Sequence, residues 1–433
     1  MAEAPGVAES ADIPAKPQRP AILRFFAVLG PGLVTGAADD DPSGIATYSQ
    51  VGAQFGYQMG WSVLFSYPLM AAIQEIAARI GSTTGHGIAE NLRKHYPRWI
   101  LDAVVIALLI ANTINLGADI AAMGDAVSLF APGPMQLWAV VITAVSVAAE
   151  SWLSYARYAS ILKWTTLALL AYVATVAVAH VDWGAAVAGA FIPRMSAGGA
   201  AATALVAVLG TTISPYLFFW QSSQEVEELG RRHKKALCTV PGIAGPELKR
   251  IRLDTLVGMG FSNLIALFIV IAVAATLHAH GLHKIDTSVQ AAQALAPTVG
   301  RFASVIFALG IVGTGLLALP VLAGSAAYAV CETFRWRAGL DRKPKAARAF
   351  YGVIAGATLM GLVLAFSPID PMKALYWTAV INGVLAAPLM AVMMLISSNP
   401  RIMGRLVISW RMRIAGWIAT LAMAAASVAL FVM

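Results

Sequence analysis

The sequence predicts an all-α polytopic membrane protein with eleven transmembrane helices, two of which are interrupted near their middle. The first observation is composition: of 433 residues, 59% are hydrophobic and only 12% are charged, whereas about a quarter of a soluble protein is charged. The second is that apolar stretches of about 20 residues, the length of a membrane-spanning helix, recur along the chain. The third is that proline and acidic residues interrupt two of these stretches.

Eleven apolar stretches are the candidates for membrane spans. Helices are the expected spanning structure, because a backbone surrounded by lipid must satisfy its own hydrogen-bonding groups. The predicted spans cover residues 22–54, 58–80, 100–128, 134–152, 156–182, 198–228, 252–279, 301–333, 349–366, 371–397 and 412–432.

The basic residues predict the orientation of the chain. All but four of its 30 Lys and Arg residues lie in the N-terminal segment or in loops on the same side of the predicted bundle. Because loops rich in Lys and Arg stay in the cytoplasm, we expect a cytoplasmic N-terminus and, with eleven spans, a C-terminus outside. Residues 1–21 are polar and lack an apolar core, which predicts a disordered cytoplasmic tail and not a signal peptide. The exceptions are Arg194, Lys284, Arg301 and Lys373.

The same pattern accounts for the net charge of +8. Basic loops of this kind are topology signals, so we expect membrane lipids, including anionic headgroups, and no nucleic acid as partners. The two cysteines, Cys238 and Cys331, are too few for a disulfide framework. We expect a monomer in a bacterial inner (plasma) membrane, without a cofactor.

Two predicted spans contain helix-breaking residues. Span 1 contains "GPG" at 30–32 and "DDDPSG" at 39–44, and span 6 contains "ISPYLFF" at 213–219. Proline removes a backbone donor and clashes with the preceding turn, so Pro42 and Pro215 predict a break in each span. Three consecutive carboxylates beside Pro42 are costly within a membrane, and such groups usually mark an ion path.

Breaks in the first and sixth spans divide ten spans into two halves of five. Because five is odd, the second half enters the membrane from the opposite side, and the two halves form an inverted repeat. The letters "AVLG" precede both breaks, at 27–30 and 207–210. Broken helices at matching positions of two halves are typical of the substrate site of secondary transporters. We predict a first repeat at 22–182, a second at 183–397, and an additional eleventh span within 398–433.

The chain resembles the NRAMP family of divalent metal transporters over nearly its whole length. The family has Asp-Pro-Gly-Asn where this chain has "DPSG" at 41–44, about eight residues after a shared "GPG". The resemblance implies the LeuT-type fold and transport of divalent metal ions by alternating access. The pattern is similar to that of the NRAMP-related magnesium transporters, a branch without the methionine ligand. Further matching segments are "SQVGAQFGY" at 49–57, "QEIAARIGSTTG" at 74–85, "SLF" at 128–130 and "PLMAVMMLISSNPRIMG" at 388–404.

The resemblance implies metal ligands at the break in span 1. Asp41 occupies the position of the family's aspartate ligand, and Ala38 that of a backbone-carbonyl ligand. The family's asparagine ligand is replaced by Gly44, which has no side chain. Asp40 is a further candidate for lining the site.

Span 6 is expected to supply the facing ligands. A second backbone-carbonyl ligand falls on Thr211, and the family's methionine ligand falls on Ser214. Tyr216 and Gln221 stand where the family has histidines. Asn382, in span 10, lies near a family position that carries a polar side chain facing the site.

All of these predicted ligands are oxygen donors. A methionine offers soft sulfur, which favours late transition metals, whereas the hydroxyl of Ser214 does not. The loss of the asparagine and methionine side chains also predicts a wider site. Mg²⁺ prefers oxygen and gives up its water reluctantly, so we predict a partly hydrated Mg²⁺ as the transported ion. Mn²⁺ also accepts oxygen ligands and remains an open alternative.

A second departure from the family concerns proton coupling. The family carries Asp-Leu-Ala-Glu in its third span, where this chain has "NLGA" at 115–118. Asn and Ala cannot titrate, and neither Tyr216 nor Gln221 can shuttle protons near neutral pH. We therefore predict transport without strict proton coupling. Asp119 and Asp125 lie nearby, and either a proton role or a polar lining of the outer access path remains open for them.

Two other kinds of transporter remain as alternatives. One is a proton-coupled Mn²⁺ or Fe²⁺ transporter of the usual NRAMP kind, against which the replaced ligands argue. The other is a sodium-coupled symporter of organic solutes with the same fold. Such a carrier normally leaves the broken helix end free of acids, and the aspartates at 39–41 argue against it. An enzyme is not expected, because the sequence contains no nucleophile–base set or nucleotide-binding loop.

Overall fold

The computed structural model describes residues 31–152, 165–195 and 198–432, and every regular element in these ranges is a helix. The α-helices are numbered α1 to α18 in chain order. The first eight are α1 (Pro31–Asp39), α2 (Pro42–Phe55), α3 (Gly60–Thr84), α4 (Ile88–His95), α5 (Arg98–Ser128), α6 (Met135–Trp152), α7 (Leu170–Val178) and α8 (Trp183–Phe191).

The remaining ten helices begin with the second broken span. Short 3₁₀ turns and loops connect them. They are α9 (Gly199–Thr212), α10 (Pro215–Arg231), α11 (Ala244–Thr276), α12 (Ser288–Gln293), α13 (Ala296–Val299), α14 (Ala303–Phe334), α15 (Arg348–Ala365), α16 (Pro371–Ser397), α17 (Pro400–Met403) and α18 (Trp410–Val432).

Helices occur at each of the eleven predicted spans. Within the described ranges, eight segments are long and apolar enough to cross a membrane, with α9 and α10 counted as one segment. Shorter apolar helices at Met135–Ala149 and Leu167–Val178 correspond to the predicted spans 4 and 5, and α1 with α2 corresponds to span 1. The predicted tail and the parts of spans 1 and 5 at 22–30 and 156–164 lie outside the described residues.

The break in span 1 is determined by local chemistry. Helix α1 ends at Asp39, and α2 begins at Pro42, which needs no intrahelical donor at the first helical position. Asp41 caps α2: its Oδ1 accepts hydrogen bonds from the Gly44 amide at 2.8 Å and the Ser43 hydroxyl at 2.6 Å. The same carboxylate that interrupts the span therefore starts its second half.

The break in span 6 follows the same plan with a different cap. Helix α9 ends at Thr212, and Pro215 is the first residue of α10. Ser214 between them has extended backbone angles, φ −76° and ψ 129°. Its Oγ lies 2.9 Å from the carbonyl oxygens of Gly210 and of Thr211, so the hydroxyl donates to the C-terminal end of α9.

Glycines allow the helices around the breaks to touch through their backbones. A Cβ atom on Gly36 of α1 would lie 2.3 Å from the carbonyl oxygen of Gly258 on α11. A Cβ on Gly81 of α3 would lie 2.0 Å from the carbonyl oxygen of Ser222 on α10. A larger residue at either glycine would clash with the facing backbone. Helix α1 therefore packs directly against α11, and α10 packs directly against α3.

The two breaks lie in the middle of the bundle. Helix α2 contacts α5, α9, α11 and α16, and α10 contacts α1, α3, α5 and α16. Helices α5 and α16 thus touch both broken spans. Polar groups at the breaks are therefore shielded from the surroundings by other helices.

Candidate functional site

Asp41 is the centre of the polar contacts between the two broken spans. Its Oδ2 accepts a hydrogen bond from the Tyr216 hydroxyl at 3.0 Å and another from Asn115 Nδ2 at 3.4 Å. The Tyr216 hydroxyl also lies 3.2 Å from the carbonyl oxygen of Ala38. Three helices and the loop before α2 therefore meet at one carboxylate, of which 1% is exposed.

Gly44 brings α2 against the end of α9. A Cβ atom on Gly44 would lie 3.2 Å from Thr211 Oγ1 and 3.4 Å from the carbonyl oxygen of Asp39. The space that an asparagine side chain would need at this position is thus occupied by the Thr211 side chain. The wide site expected from the missing asparagine is closed in this conformation.

Ser214 lies beside this contact and directs its hydroxyl to its own helix, as described above. Within the described residues no hydrogen bond joins it to Asp41. The Thr211 carbonyl, predicted to be a ligand, is the acceptor of this Ser214 hydrogen bond. Both groups would have to give up that contact before they could bind an ion.

Asp40 and its neighbour Asp39 turn towards α11. Ser262 Oγ lies 2.6 Å from Asp39 Oδ2 and 3.0 Å from Asp40 Oδ1. A hydroxyl has a single hydrogen, so the two buried carboxylates compete for one donor. Asp40 therefore contacts the α11 side of the break, away from Tyr216.

Gln221 lies one turn and a half further along α10 than Tyr216. Its Oε1 accepts a hydrogen bond from Thr35 of α1, and its Nε2 lies 3.4 Å from Glu225 Oε1. Asn382 on α16 is buried, and its Nδ2 has no hydrogen-bond partner in the part of the chain that the structure describes. The structure thus joins Gln221 to the first half of span 1 and leaves Asn382 without a polar contact to Asp41.

A cluster of charged residues closes the bundle on the side of Gln221. Arg250 of α11 donates to Glu225 at 2.6 Å and to Glu247 at 3.1 Å, and lies 3.8 Å from Asp254. Asp254 Oδ2 in turn accepts the Gly32 amide at 2.8 Å. We call these four charged residues the Arg250 cluster. It ties the start of α1 to α10 and α11.

Among the described residues, Asp41 is almost fully shielded from solvent. Asp41, Ala38, Tyr216, Ser214 and Gln221 are all buried. A cavity of about 410 Å³ on one side approaches along α2 only as far as Ala46 and Gln50. A cavity of about 460 Å³ on the opposite side is lined by residues of α4, α10 and α14 and by the loop after α14. Neither of these two cavities includes a predicted site residue, and the site residues themselves are buried within the described part of the chain.

The sequence signals singled out above do not predict the Arg250 cluster or the contact of Asn115 with Asp41. Arg250 belongs to the basic residues that indicate topology, although its spacing of four residues from Asp254 also predicts a pair on one helix face. Asn115 differs from the family by a side chain that cannot titrate. Its contact depends on how α5 is rotated in the bundle, which no local pattern specifies.

Comparison with known proteins gives a family match over most of the chain. Residues 32–433 match the family model described as natural resistance-associated macrophage protein-like (Nramp).

The chain belongs to the Nramp family.

Curated relatives of this Nramp chain carry the name "Divalent metal cation transporter MntH". The relative from Deinococcus radiodurans is 25% identical over 415 residues, covering 92% of this chain and 87% of the relative. The relative from Klebsiella pneumoniae is 27% identical over 401 residues and covers 91% of both chains. These relatives are named as transporters, in agreement with the prediction that the chain is not an enzyme.

Solved structures agree on the fold of the Nramp chain. The Eremococcus coleocola manganese transporter superimposes with a TM-score of 0.75 at 14% identity, covering 95% of this chain and 87% of that one. MhsT, solved with L-phenylalanine, superimposes with a TM-score of 0.62 at 12% identity, covering 92% and 98%. The prediction of an all-helical LeuT-type fold is confirmed.

Proposed function

We propose that this Nramp protein is a secondary transporter that imports divalent metal cations by alternating access. The observation that carries the proposal is the buried carboxylate of Asp41, held where the two broken spans meet. Intramembrane carboxylates at such breaks usually mark an ion path. The names of the relatives support the same class of substrate.

We propose Mg²⁺ as the preferred cation and Mn²⁺ as the second. The groups that contact Asp41 come from Ser43, Gly44, Asn115 and Tyr216; none of them contains sulfur, and their side chains offer only oxygen atoms as possible ligands. Ser214 supplies a hydroxyl where the family has a soft thioether. Hard cations prefer oxygen ligands, so this environment favours Mg²⁺ over late transition metals.

A cation that keeps part of its water fits these groups better than a bare ion. The Tyr216 hydroxyl and the Asn115 amide are neutral, and both can hydrogen-bond to water as well as to Asp41. Mg²⁺ usually keeps several waters when it binds to proteins. We therefore propose that waters of the ion replace the hydrogen bonds that Asp41 now accepts from these two side chains.

We further propose that import does not require a fixed number of protons. Around Asp41, the positions that carry titratable side chains in the family hold Asn115, Ala118, Tyr216 and Gln221. None of these residues changes charge near neutral pH. The driving force would then be the cation gradient and the membrane potential, which favours entry of positive charge.

Proton-coupled import of Mn²⁺ or Fe²⁺ is the second candidate function. The observation that favours it is the pair Asp39 and Asp40, which share the single hydroxyl of Ser262. Two adjacent buried carboxylates are suited to holding a proton. One solved structure with this fold is a manganese transporter, but at 14% identity the likeness supports the fold alone. A sodium-coupled symporter of organic solutes is a third candidate, and the acidic break argues against it.

The charge pattern supports a location in a bacterial inner membrane, with the N-terminus in the cytoplasm and the C-terminus outside. In this orientation the Arg250 cluster lies on the cytoplasmic side of Asp41, and the cavity at Ala46 and Gln50 opens to the outside. Import then requires that the Arg250 cluster separates. We propose that the monomer suffices for transport.

The test is uptake by purified protein in liposomes that contain a Mg²⁺-sensitive dye and a pH-sensitive dye. We expect Mg²⁺ to enter without acidification of the lumen. Entry of Mn²⁺ or Cd²⁺ with acidification, and no entry of Mg²⁺, would support the second candidate and reject the first.

The matched variants are Asp41→Asn and Asp370→Asn. Asp370 also caps a helix that begins with proline, and it accepts the Met372 amide at 2.9 Å. Asparagine keeps a capping oxygen in both places and removes the charge. We expect uptake to be lost only in Asp41→Asn. Equal uptake in the two variants would remove Asp41 from the transport site.

A further inference from the structure

Asp119 is a buried carboxylate on α5 that the described contacts leave without a partner. The residue is fully buried, and neither Oδ1 nor Oδ2 has a hydrogen-bond partner within the described part of the chain. Burying a carboxylate without a compensating partner is unfavourable, because the charge loses its hydration. An acceptor pair of this kind points to a ligand that supplies positive charge or hydrogen-bond donors.

Asn115 fixes the direction in which this part of α5 faces. Its Nδ2 donates to Asp41 Oδ2 at 3.4 Å, and its Oδ1 is buried without a partner among the described residues. Asp119 lies four residues later, on the same face and about 6 Å further along the helix axis. The Asp119 carboxylate is close enough to the Asp41 carboxylate and to the Tyr216 hydroxyl to interact electrostatically with both.

Charge neutrality explains why a second carboxylate would be needed. A divalent cation beside Asp41 alone carries an excess charge into a medium of low dielectric constant, where the cost is high. Asp119 supplies the second negative charge. Asp39 and Asp40 are less suited, because both are directed to Ser262 on α11.

We propose that Asp119 and the amide oxygen of Asn115 form the second half of the cation site, facing Asp41. The proposal rests on the proposed function as a divalent-cation importer. Helix α5 runs from Arg98, beside the basic loops, to Ser128 at the opposite end, so Asp119 lies on the outer side of Asn115. An incoming divalent cation with its waters meets Asp119 first and is then held between Asp119 and Asp41.

The test combines Mg²⁺ binding to the detergent-purified full chain, by isothermal titration calorimetry, with uptake into dye-loaded liposomes. Asp119→Asn is expected to weaken Mg²⁺ binding about tenfold or more, because one of two neutralising charges is lost. Asp119→Glu keeps the charge and is expected to retain most of the affinity. Asp102→Asn changes an aspartate near the basic end of the same helix, where it pairs with Arg98 at 3.6 Å on the surface, and is expected to bind like the parent.

A charge swap keeps the test decisive if Asp119→Asn does not fold. The double variant Asn115→Asp with Asp119→Asn moves the carboxylate by one turn and keeps the net charge. We expect it to bind Mg²⁺ more tightly than Asp119→Asn, or to fold where that variant does not. If the double variant and Asp119→Glu both bind Mg²⁺ as weakly as Asp119→Asn does, the side chain at position 119 has a packing role, and the proposal is overturned.

The remaining outcomes separate this inference from the proposed function. If the parent takes up Mg²⁺ and Asp119→Asn binds and transports it equally well, only the role of Asp119 fails. If Asp119→Asn keeps its Mg²⁺ affinity but loses an accompanying acidification, Asp119 carries a proton, and the inference is overturned. If the parent neither binds nor transports divalent cations, the proposed function fails as well.

Discussion

The Tyr216 hydroxyl donates a hydrogen bond of 3.0 Å to Asp41 and joins the second half of span 6 to the break in span 1. The resemblance to the family implies a histidine at the position of Tyr216. The hydroxyl cannot release its proton near neutral pH, so the contact is held over the physiological range. The donor to Asp41 at this position therefore does not change charge over the physiological range, whereas a histidine would.

Tyr216→His should introduce a pH dependence of Mg²⁺ uptake. A histidine titrates between about pH 6 and 7, and its cationic form repels an incoming cation from Asp41. We expect uptake by this variant to fall as the pH is lowered from 8 to 6. Uptake in liposomes at several pH values measures the effect, and Tyr216→Phe is the matched control that cannot titrate. A flat profile for Tyr216→His would mean that the side chain does not face the transported ion.

Ser214→Met should shift selectivity towards Mn²⁺ and Cd²⁺. The substitution restores a thioether and removes the hydroxyl that donates to the Gly210 and Thr211 carbonyls. The Thr211 carbonyl is then free to face the ion. The measurement is uptake of each metal in competition with Mg²⁺, with Ser214→Ala as the control that frees the carbonyl without adding sulfur. An unchanged preference would place selectivity elsewhere.

Gly44→Asn alone should impair the protein, whereas Gly44→Asn with Thr211→Gly should be better tolerated. The Cβ atom of any side chain at position 44 would already lie 3.2 Å from Thr211 Oγ1. Removing the Thr211 side chain opens the space for the amide. Thermal unfolding in detergent should show the single variant less stable than the double one, by about 1–3 kcal/mol as for other overpacked sites. Equal stabilities would contradict the close contact.

Arg250→Met should loosen the closed end of the bundle. The variant leaves Glu225 and Asp254 buried without their cation, and breaking a buried ion pair costs about 3–5 kcal/mol. We expect the bundle to open more often on this side. Labelling of a cysteine placed at Gln221, in a background without Cys238 and Cys331, should become faster. Arg231→Met, which breaks a surface pair of Arg231 with Asp341, is the control and should leave the labelling rate unchanged.

Glu90→Gln should lower the thermal stability at pH 7 and have no effect near pH 2. Burial raises the pKa of Glu90, but hydrogen bonds and charge from His86 and Lys94 outweigh it and lower the pKa from 4.5 to about 2. A lowered pKa stabilises the folded state above the unfolded value, and the stabilisation is lost as the pH falls from about 4.5 to about 2. Unfolding temperatures of both proteins from pH 7 to pH 3 should therefore converge. A constant difference would contradict the assigned ion pairs.

The positions of the spans and of both breaks could be predicted from the sequence because they depend on local properties. Apolar length defines a span, and Pro42 and Pro215 begin new helices wherever they occur. Helix α11 begins at Ala244 and not at the predicted 252, because charged residues continue the helix beyond the apolar stretch and pair there, as Glu247 and Arg250 do.

Contacts between helices could not be predicted in the same way. The occupation of the space beside Gly44 by Thr211 depends on the distance between α2 and α9. Whether the Ser214 hydroxyl donates a hydrogen bond to its own helix depends on the rotamer of its side chain. The direction of Asp40 towards Ser262 depends on the rotation of α11. The family resemblance indicated the segments at the two breaks, and only the three-dimensional arrangement showed which side chains meet.

The burial of Asp41 limits what one cycle can carry. Asp41 is buried between the cavity lined by Ala46 and the Arg250 cluster, so we expect an ion held there to wait until helices rearrange. Under the proposed alternating access, ions then cross in discrete steps, and we expect no continuous electrical current. Electrical recordings should show no unitary openings, and the uptake rate should follow the temperature dependence of a helix movement.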